Sequence, residues 1–403
     1  MRYNQTQRNR PRWYSDIGVP RNNKKESDVM VGRAEAVAAA VEVSHNELKA
    51  LVKLYFKAKR ALFCWGATGI GKSQTVKQAG MEIAEELKLE YTEDISRIND
   101  EKAFVVVDIR LAQCDPSDLR GIPIYDKEKM ATVWLPPEMF PRKGYGIIFF
   151  DELNLSPPLV QASAYQMILD RRLGTYVVPD GFLLIAAGNR LEDRASVFEM
   201  SAPLKNRFGH CQLREPSVEA WTRWAVDHDI DMRLIGFLNF RRTALYTFDA
   251  KLKENAFATP RSWEHLSNLI KDAESDNIAL IQQIASTQVG VGTAGELATF
   301  IRVKDKLHPM KYYLDNPDDC ELPDENTQPD LIWALITSFA EYYKAHTDTP
   351  TLTKIIGVLR RMNEEYAVFT LKLMVTVDRQ LTQKIIKIPQ ASKLARKLID
   401  FFE

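Results

Sequence analysis

Residues 66–73 run Gly66-Ala67-Thr68-Gly69-Ile70-Gly71-Lys72-Ser73, a G-x-x-x-x-G-K-[ST] loop. No other stretch limits the fold as much, because such a loop works only between a strand and a helix. Both flanks fit. The apolar run 61–65 predicts a strand, and Val76, Ala79, Ile83 and Leu87 recur at helical spacing from Lys72 to about Leu89. The glycines let successive backbone N–H groups face one hollow, at a helix N-terminus whose dipole favours anions. The hollow suits nucleotide phosphates, with Lys72 reaching the outer ones and the Ser73 hydroxyl holding Mg²⁺. The candidate nucleotide-contact set is Gly66, Ala67, Thr68, Gly69, Ile70, Gly71, Lys72, Ser73 and Gln74.

A chain of 403 residues is long enough for a full α/β core and for more than one domain. From 61 to about 213, apolar strand patterns (61–65, 103–108, 147–151, 182–187, 209–213) alternate with helical ones. That alternation predicts a mostly parallel sheet with helices on both faces and ligands beyond the strands' carboxyl ends. Residues 33–60 read as helix, with a capping box at Ser44 and Glu47. Beyond Pro216 amphipathic helical patterns dominate, interrupted by a Pro-, Asp- and Asn-rich stretch at 316–329 that reads as a loop or linker. The expected domains are a basic N-terminal arm (1–32), an α/β nucleotide-binding domain (33–215), an all-α lid (216–315) and a C-terminal helical region (316–403). Trp13 and Tyr14 are the candidate anchors of the arm. Gly290, Gly292 and Gly295 match a dinucleotide fingerprint, but helical spacing precedes them and predicts a helix–helix turn.

Three further patterns carry chemistry. The run 146–150 ends in Asp151-Glu152, a buried strand delivering two carboxylates. Asp151 suits the metal and Glu152 the base that orients an attacking water. The run 183–188 ends in Asn189, whose amide can bond both the γ-phosphate and that water. Arg207 stands in a predicted short helix before the next strand, and an arginine supplied to the γ-phosphate contributes roughly 10³–10⁵ in rate. Arg194 is a second candidate for that role. Thr259-Pro260-Arg261-Ser262-Trp263 opens a helix, with proline at its first turn, and would let Arg261 reach the nucleotide from a helical lid.

Phosphate loop, strand-Asp-Glu, strand-Asn, helix-Arg and lid-Arg stand in the order of the AAA+ ATPases. Within them the chain resembles the MoxR-like branch over about residues 35–310. The branch signals are 114–123 (Cys-Asp-Pro-Ser-Asp-Leu-Arg-Gly-Ile-Pro) followed by Trp134-Leu135-Pro136-Pro137-Glu138, a hairpin pattern at 173–182, and the Thr259–Trp263 motif. The loop lacks the early proline and final threonine commoner in that branch, changes that leave its phosphate chemistry intact. Glu192-Asp193-Arg194 also departs from the usual sequence. The resemblance implies a homo-hexameric ring, ATP and Mg²⁺ as cofactors, and a chaperone-like remodelling activity on a protein client. It further implies segments 115–140 and 172–182 facing that client, and a partner with a von Willebrand factor A domain. The segment 316–403 is a candidate docking module for the partner.

Lys+Arg and Asp+Glu balance at 54 each, so the basic excess typical of nucleic-acid binders is missing. That weighs against a nucleic-acid motor or restriction-type NTPase, the first alternative. A low-turnover nucleotide-switched scaffold, the second, is opposed by the complete set of carboxylate, Asn and Arg candidates. Four scattered cysteines read as reduced thiols of a cytoplasmic protein, and no apolar run approaches the ~18 residues of a membrane span.

Overall fold

The computed structural model describes residues 40–190, 198, 200–249, 254–271, 277–378 and 380–402. The arm 1–32 with Trp13 and Tyr14, and Arg194, lie outside the described residues. The α/β part contains β1 (Val41–Val43), α1 (His45–Ala58), β2 (Leu62–Trp65), α2 (Lys72–Leu87), β3 (Glu90–Thr92) and β4 (Ala103–Arg110). It continues with α3 (Pro116–Arg120), β5 (Ile122–Asp126), β6 (Ala131–Leu135), β7 (Tyr145–Asp151) and α4 (Pro158–Asp170). It closes with β8 (Arg172–Leu173), β9 (Tyr176–Val177), β10 (Phe182–Gly188), α5 (Ala202–Lys205) and β11 (Gly209–Leu213).

Seven strands form one sheet in the order β1-β11-β2-β10-β7-β4-β3, and the pairings from β11 through β3 are parallel. The central strands read as unbroken apolar runs because both their faces are covered. Side chains alternate between the faces. Leu62, Val106, Ile147, Phe149, Leu183 and Ile185 pack with Leu48, Val52, Val76, Ala79 and Ile83 of α1 and α2. Phe63, Val105, Ile148, Phe150, Leu184 and Ala186 pack on the other face with Val160, Ala164 and Met167 of α4. All strands from β11 to β3 run the same way, so the carboxyl ends of β2, β7 and β10 meet at one edge.

All five expected strands are present. Of the expected helix over 33–60, residues 33–39 lie outside the described residues, and 41–43 are corrected: Val41–Val43 is a strand, and the Val43 carbonyl accepts from the Arg214 N–H beside β11 at 2.9 Å. Two β-branched residues with a pairing edge available favour a strand there. The helix begins at His45, capped reciprocally by Ser44 and Glu47 as the sequence indicates.

Beyond β11 the chain is helical: α6 (Val218–Asp227), α7 (Met232–Phe240), α8 (Pro260–Ile270), α9 (Ile278–Val289), α10 (Val291–Val303) and α11 (Met310–Asp315). There follow α12 (Pro329–Ala345), α13 (Thr349–Leu359), α14 (Glu364–Val377), α15 (Leu381–Ile386) and α16 (Ser392–Phe402). Buried side chains from Val218 to Leu398 make one continuous cluster, shared by the segments expected as lid and C-terminal region. The Pro-rich stretch between them forms neither helix nor strand from 316 to 328, and its last residue, Pro329, opens α12. It is tied down, with the Arg361 guanidinium donating to the carbonyls of Pro317 and Cys320 at 3.2 and 2.8 Å. Gly290 sits at the α9–α10 junction with φ 86°, so the fingerprint match is the expected helix–helix turn. No helix among the described residues is long and apolar enough to cross a membrane.

Candidate functional site

The phosphate loop joins β2 to α2, whose N-cap is Gly71. Gly69 adopts φ 76°, and a Cβ there would lie 2.8 Å from Thr259 Oγ1. Only glycine permits both that backbone and that approach of the helical region. The loop is pinned from three sides. Gly66 N–H donates to the Gly188 carbonyl at 3.2 Å, and the Arg261 N–H reaches the Gly69 carbonyl at 3.4 Å. His45 Nε2 lies 2.8 Å from the Ile70 carbonyl, which only accepts, so that nitrogen carries the proton. Burial holds the His45 imidazole below its ordinary pKa, the Ile70 bond opposes this, and nearby Lys49 adds to it.

Lys72 is 8% exposed, and its ammonium donates to the carbonyls of Gly66 and Ala67 at 2.7 and 2.9 Å and to Asn189 Oδ1 at 3.0 Å. One residue on, Ser73 Oγ donates to Asp151 Oδ2 at 2.7 Å, joining α2 to the end of β7. Asp151 Oδ1 accepts from the Glu152 N–H at 2.9 Å. Glu152 is left-handed (φ 57°), which ends the strand alternation immediately after Asp151. Such a conformation in a non-glycine residue costs on the order of 1–3 kcal/mol and is characteristic of working sites. Asp108, at the end of β4, has a buried Oδ1 without a hydrogen-bond partner. Burial and then the Asp151 charge push its carboxyl upward, while Lys77 and Arg110 pull it down.

Asn189 is held by a residue that sequence reading missed. Asn154, 2% exposed, accepts from the Asn189 N–H at 3.1 Å and donates to the Asn189 carbonyl at 2.7 Å. A Cβ on Gly188 would collide with the Asn154 side chain, so glycine is required where β10 passes it. The one signal for Asn154 was an amide two residues past Asp151-Glu152, next to a strand that sequence alone does not place.

Arg207 is exposed and lies in the turn after α5, not within a helix as expected. The helix stops at Lys205 because the chain must turn into β11, with the N–H groups of Arg207 and Phe208 bonding back to Leu204 and Lys205. Thr259 caps α8 reciprocally with Ser262, Pro260 occupies the first turn, and Arg261 is exposed beyond it. Trp263 is fully buried and donates to the Ala244 carbonyl at 3.0 Å, which anchors the helix start. The structure therefore brings the loop, Asp151, Glu152 and Asn189 together. Among the described residues, no hydrogen bond or ion pair joins the side chains of Arg207 or Arg261 to the loop.

Two hairpins lie outside the seven-stranded sheet. In β5–β6, Ile122, Tyr125 and Met130 are 67%, 59% and 77% exposed. In β8–β9, Thr175 Oγ1 donates to the Trp134 carbonyl of the first hairpin at 3.3 Å.

No family model and no curated protein matches this chain. Solved structures do. A mutant RuvB of Thermotoga maritima is 14% identical, with 72% of this chain and 80% of that chain covered and a TM-score of 0.33. A putative ATPase from Cytophaga hutchinsonii is 14% identical over 94% of each chain, with a TM-score of 0.32. NtrX from Brucella abortus in complex with ATP is 14% identical, with 94% and 73% covered and a TM-score of 0.33. These likenesses are low, and the chemistry has to be read from this chain's own residues. The fold itself is plain. The loop strand β2 lies between β10 and β11, the acid strand β7 lies next to β10, and a helical region follows. This is an α/β P-loop fold, a mostly parallel sheet covered by helices with a helical region after it.

Proposed function

We propose that this chain is an Mg²⁺-dependent ATPase that works as a MoxR-like AAA+ remodelling ring on a protein client. The observation that carries the reading is the Ser73–Asp151 hydrogen bond of 2.7 Å beside the Lys72–Asn189 bond of 3.0 Å. Together they draw the loop, the acid strand and the Asn strand to one point. A hydroxyl and a carboxylate are hard oxygen donors of the kind Mg²⁺ takes, so Ser73 and Asp151 would hold the ion. When bound, Mg²⁺ would supply neutralisation of phosphate charge.

The chain's own groups do the rest. The amides of 66–74 cradle the phosphates, and Lys72 exchanges loop carbonyls for phosphate oxygens. Glu152, turned off the strand, orients the attacking water and takes its proton. Asn189, clamped by Asn154, presents its amide to that water and the γ-phosphate. Arg207, exposed at the sheet's far side from β7, is offered to a neighbouring subunit's nucleotide, and Arg261 reports nucleotide state to the helical region.

Segments 114–123 and 134–138 and the exposed β5–β6 hairpin support the MoxR-like branch, and a hexameric ring and a von Willebrand factor A domain partner are what that resemblance implies. Glu152→Gln is expected to bind ATP yet not turn it over, and to retain client and partner when captured with ATP. Wild-type turnover by that variant overturns the base assignment. Nucleic acid held only by the ATP-locked form overturns the protein-remodelling reading.

A further inference from the structure

His210 stands on β11 opposite Phe63 of β2, three residues after Arg207. Its two ring nitrogens have different partners. Trp65 Nε1–H donates to His210 Nδ1 at 3.0 Å, and His210 Nε2 lies 2.7 Å from the Lys205 carbonyl. An indole N–H only donates and a carbonyl only accepts, so the imidazole is neutral, bare at Nδ1 and protonated at Nε2. An imidazolium could not serve both partners. The ring also stacks on Trp65 (centroids 6.1 Å apart, 23° between planes) and meets Phe63 and Phe208 at 5.6 and 6.1 Å. Trp65 is the last residue of β2 before the phosphate loop, and Lys205 is the last of α5, two residues before Arg207. One hydrogen-bonded chain thus runs from the foot of the loop to the base of the arginine turn.

We infer that His210 is a positioning residue that sets the Arg207 turn against the phosphate loop of its own subunit, through Trp65 on one side and Lys205 on the other. This rests on the proposed ring, in which Arg207 serves the neighbour's nucleotide. The chain of bonds then makes the arginine that a subunit offers answer to that subunit's own loop. Displacing a reacting group by about 1 Å costs on the order of 10²-fold in rate, so small movements of this turn matter.

The test mixes two variants of the full chain. Arg207→Ala subunits keep a working phosphate loop, and Lys72→Ala subunits keep a working arginine. Turnover in that mixture reports the trans arginine alone, and its absence removes both the ring reading and the inference. Replacing Lys72→Ala by Lys72→Ala/His210→Phe keeps an aromatic ring against Phe63 and Phe208 but deletes both polar bonds. Turnover in the mixture is expected to fall roughly 10–100-fold. The single variant His210→Phe should bind a fluorescent ATP analogue as the wild type does. Undiminished turnover with the double variant overturns the inference. Should His210→Phe not fold, two smaller changes carry the test. His210→Gln places an amide N–H where Nε2 stands but loses the acceptor for Trp65, and His210→Asn keeps only that acceptor, so each breaks one link and is expected to lower turnover. Undiminished turnover with both also overturns the inference.

Discussion

The sheet region and the helical region solve burial differently. In the first, the sheet divides the apolar core into two clusters, and polar side chains gather at the edge where the strands end. In the second, one cluster runs from Val218 to Leu398 with no sheet to divide it. A parallel sheet fixes where its strands end, so residues one past those ends are held to within hydrogen-bond distance of each other. Asp151, at the end of β7, is bonded to Ser73 in this way, and Asn189, one past β10, to Asn154. A helical bundle has no such common edge, and its groups meet the site only at one end, where Thr259 abuts Gly69. On the proposed function, chemistry therefore belongs to the first region, and response to the nucleotide to the second.

The strongest challenge to this division is Lys72→Ala, which is expected to lose measurable nucleotide binding; tight binding of a fluorescent ATP analogue would place the site elsewhere. Next, Phe149→Ala opens a cavity between the sheet and its helices and should cost about 3–5 kcal/mol, read by urea unfolding. Phe339→Ala, equally buried in the helical cluster, should cost a similar amount but leave the nucleotide affinity of the folded protein unchanged. Loss of affinity in Phe339→Ala with none in Phe149→Ala would reverse the assignment of roles. Asn154→Leu should lower kcat roughly tenfold, because the Asn189 backbone groups lose buried partners worth about 1–3 kcal/mol, with KM changing less. Thr259→Ala removes a cap worth about 1 kcal/mol and should lower melting temperature slightly while weakening the response of the helical region to ATP.

The smallest effect concerns pH. His45 has a folded pKa below its ordinary value of 6.5, so the folded state favours the neutral ring. Its contribution to stability is present above that ordinary value and is lost as pH falls through the lower folded one. His45→Gln should flatten the fall in melting temperature on that acid side. An unchanged acid limb in the variant would show that burial of His45 beside the loop carries no proton linkage.

The loop, Asp151-Glu152, the Asn189 strand and the Thr259 cap were legible because each is a local pattern, whose residues lie within a few positions of one another. Strand alternation and glycine spacing act over the same short range. Asn154, His210 and the seat of Gly69 were not legible in this way. Asn154 matters because β7 and β10 are neighbours, His210 because β11 pairs with β2, and Gly69 because a helix starting nearly two hundred residues later comes to rest on it. Arg207 was singled out by its place before β11, yet the bond between His210 and the Lys205 carbonyl just before its turn is one that no spacing announces. Local sequence determined which residues carry charge and where strands end, since these follow from nearest-neighbour backbone and side-chain preferences. The order of the strands decided which of those ends meet, because adjacency in a sheet is set by the packing of the whole core.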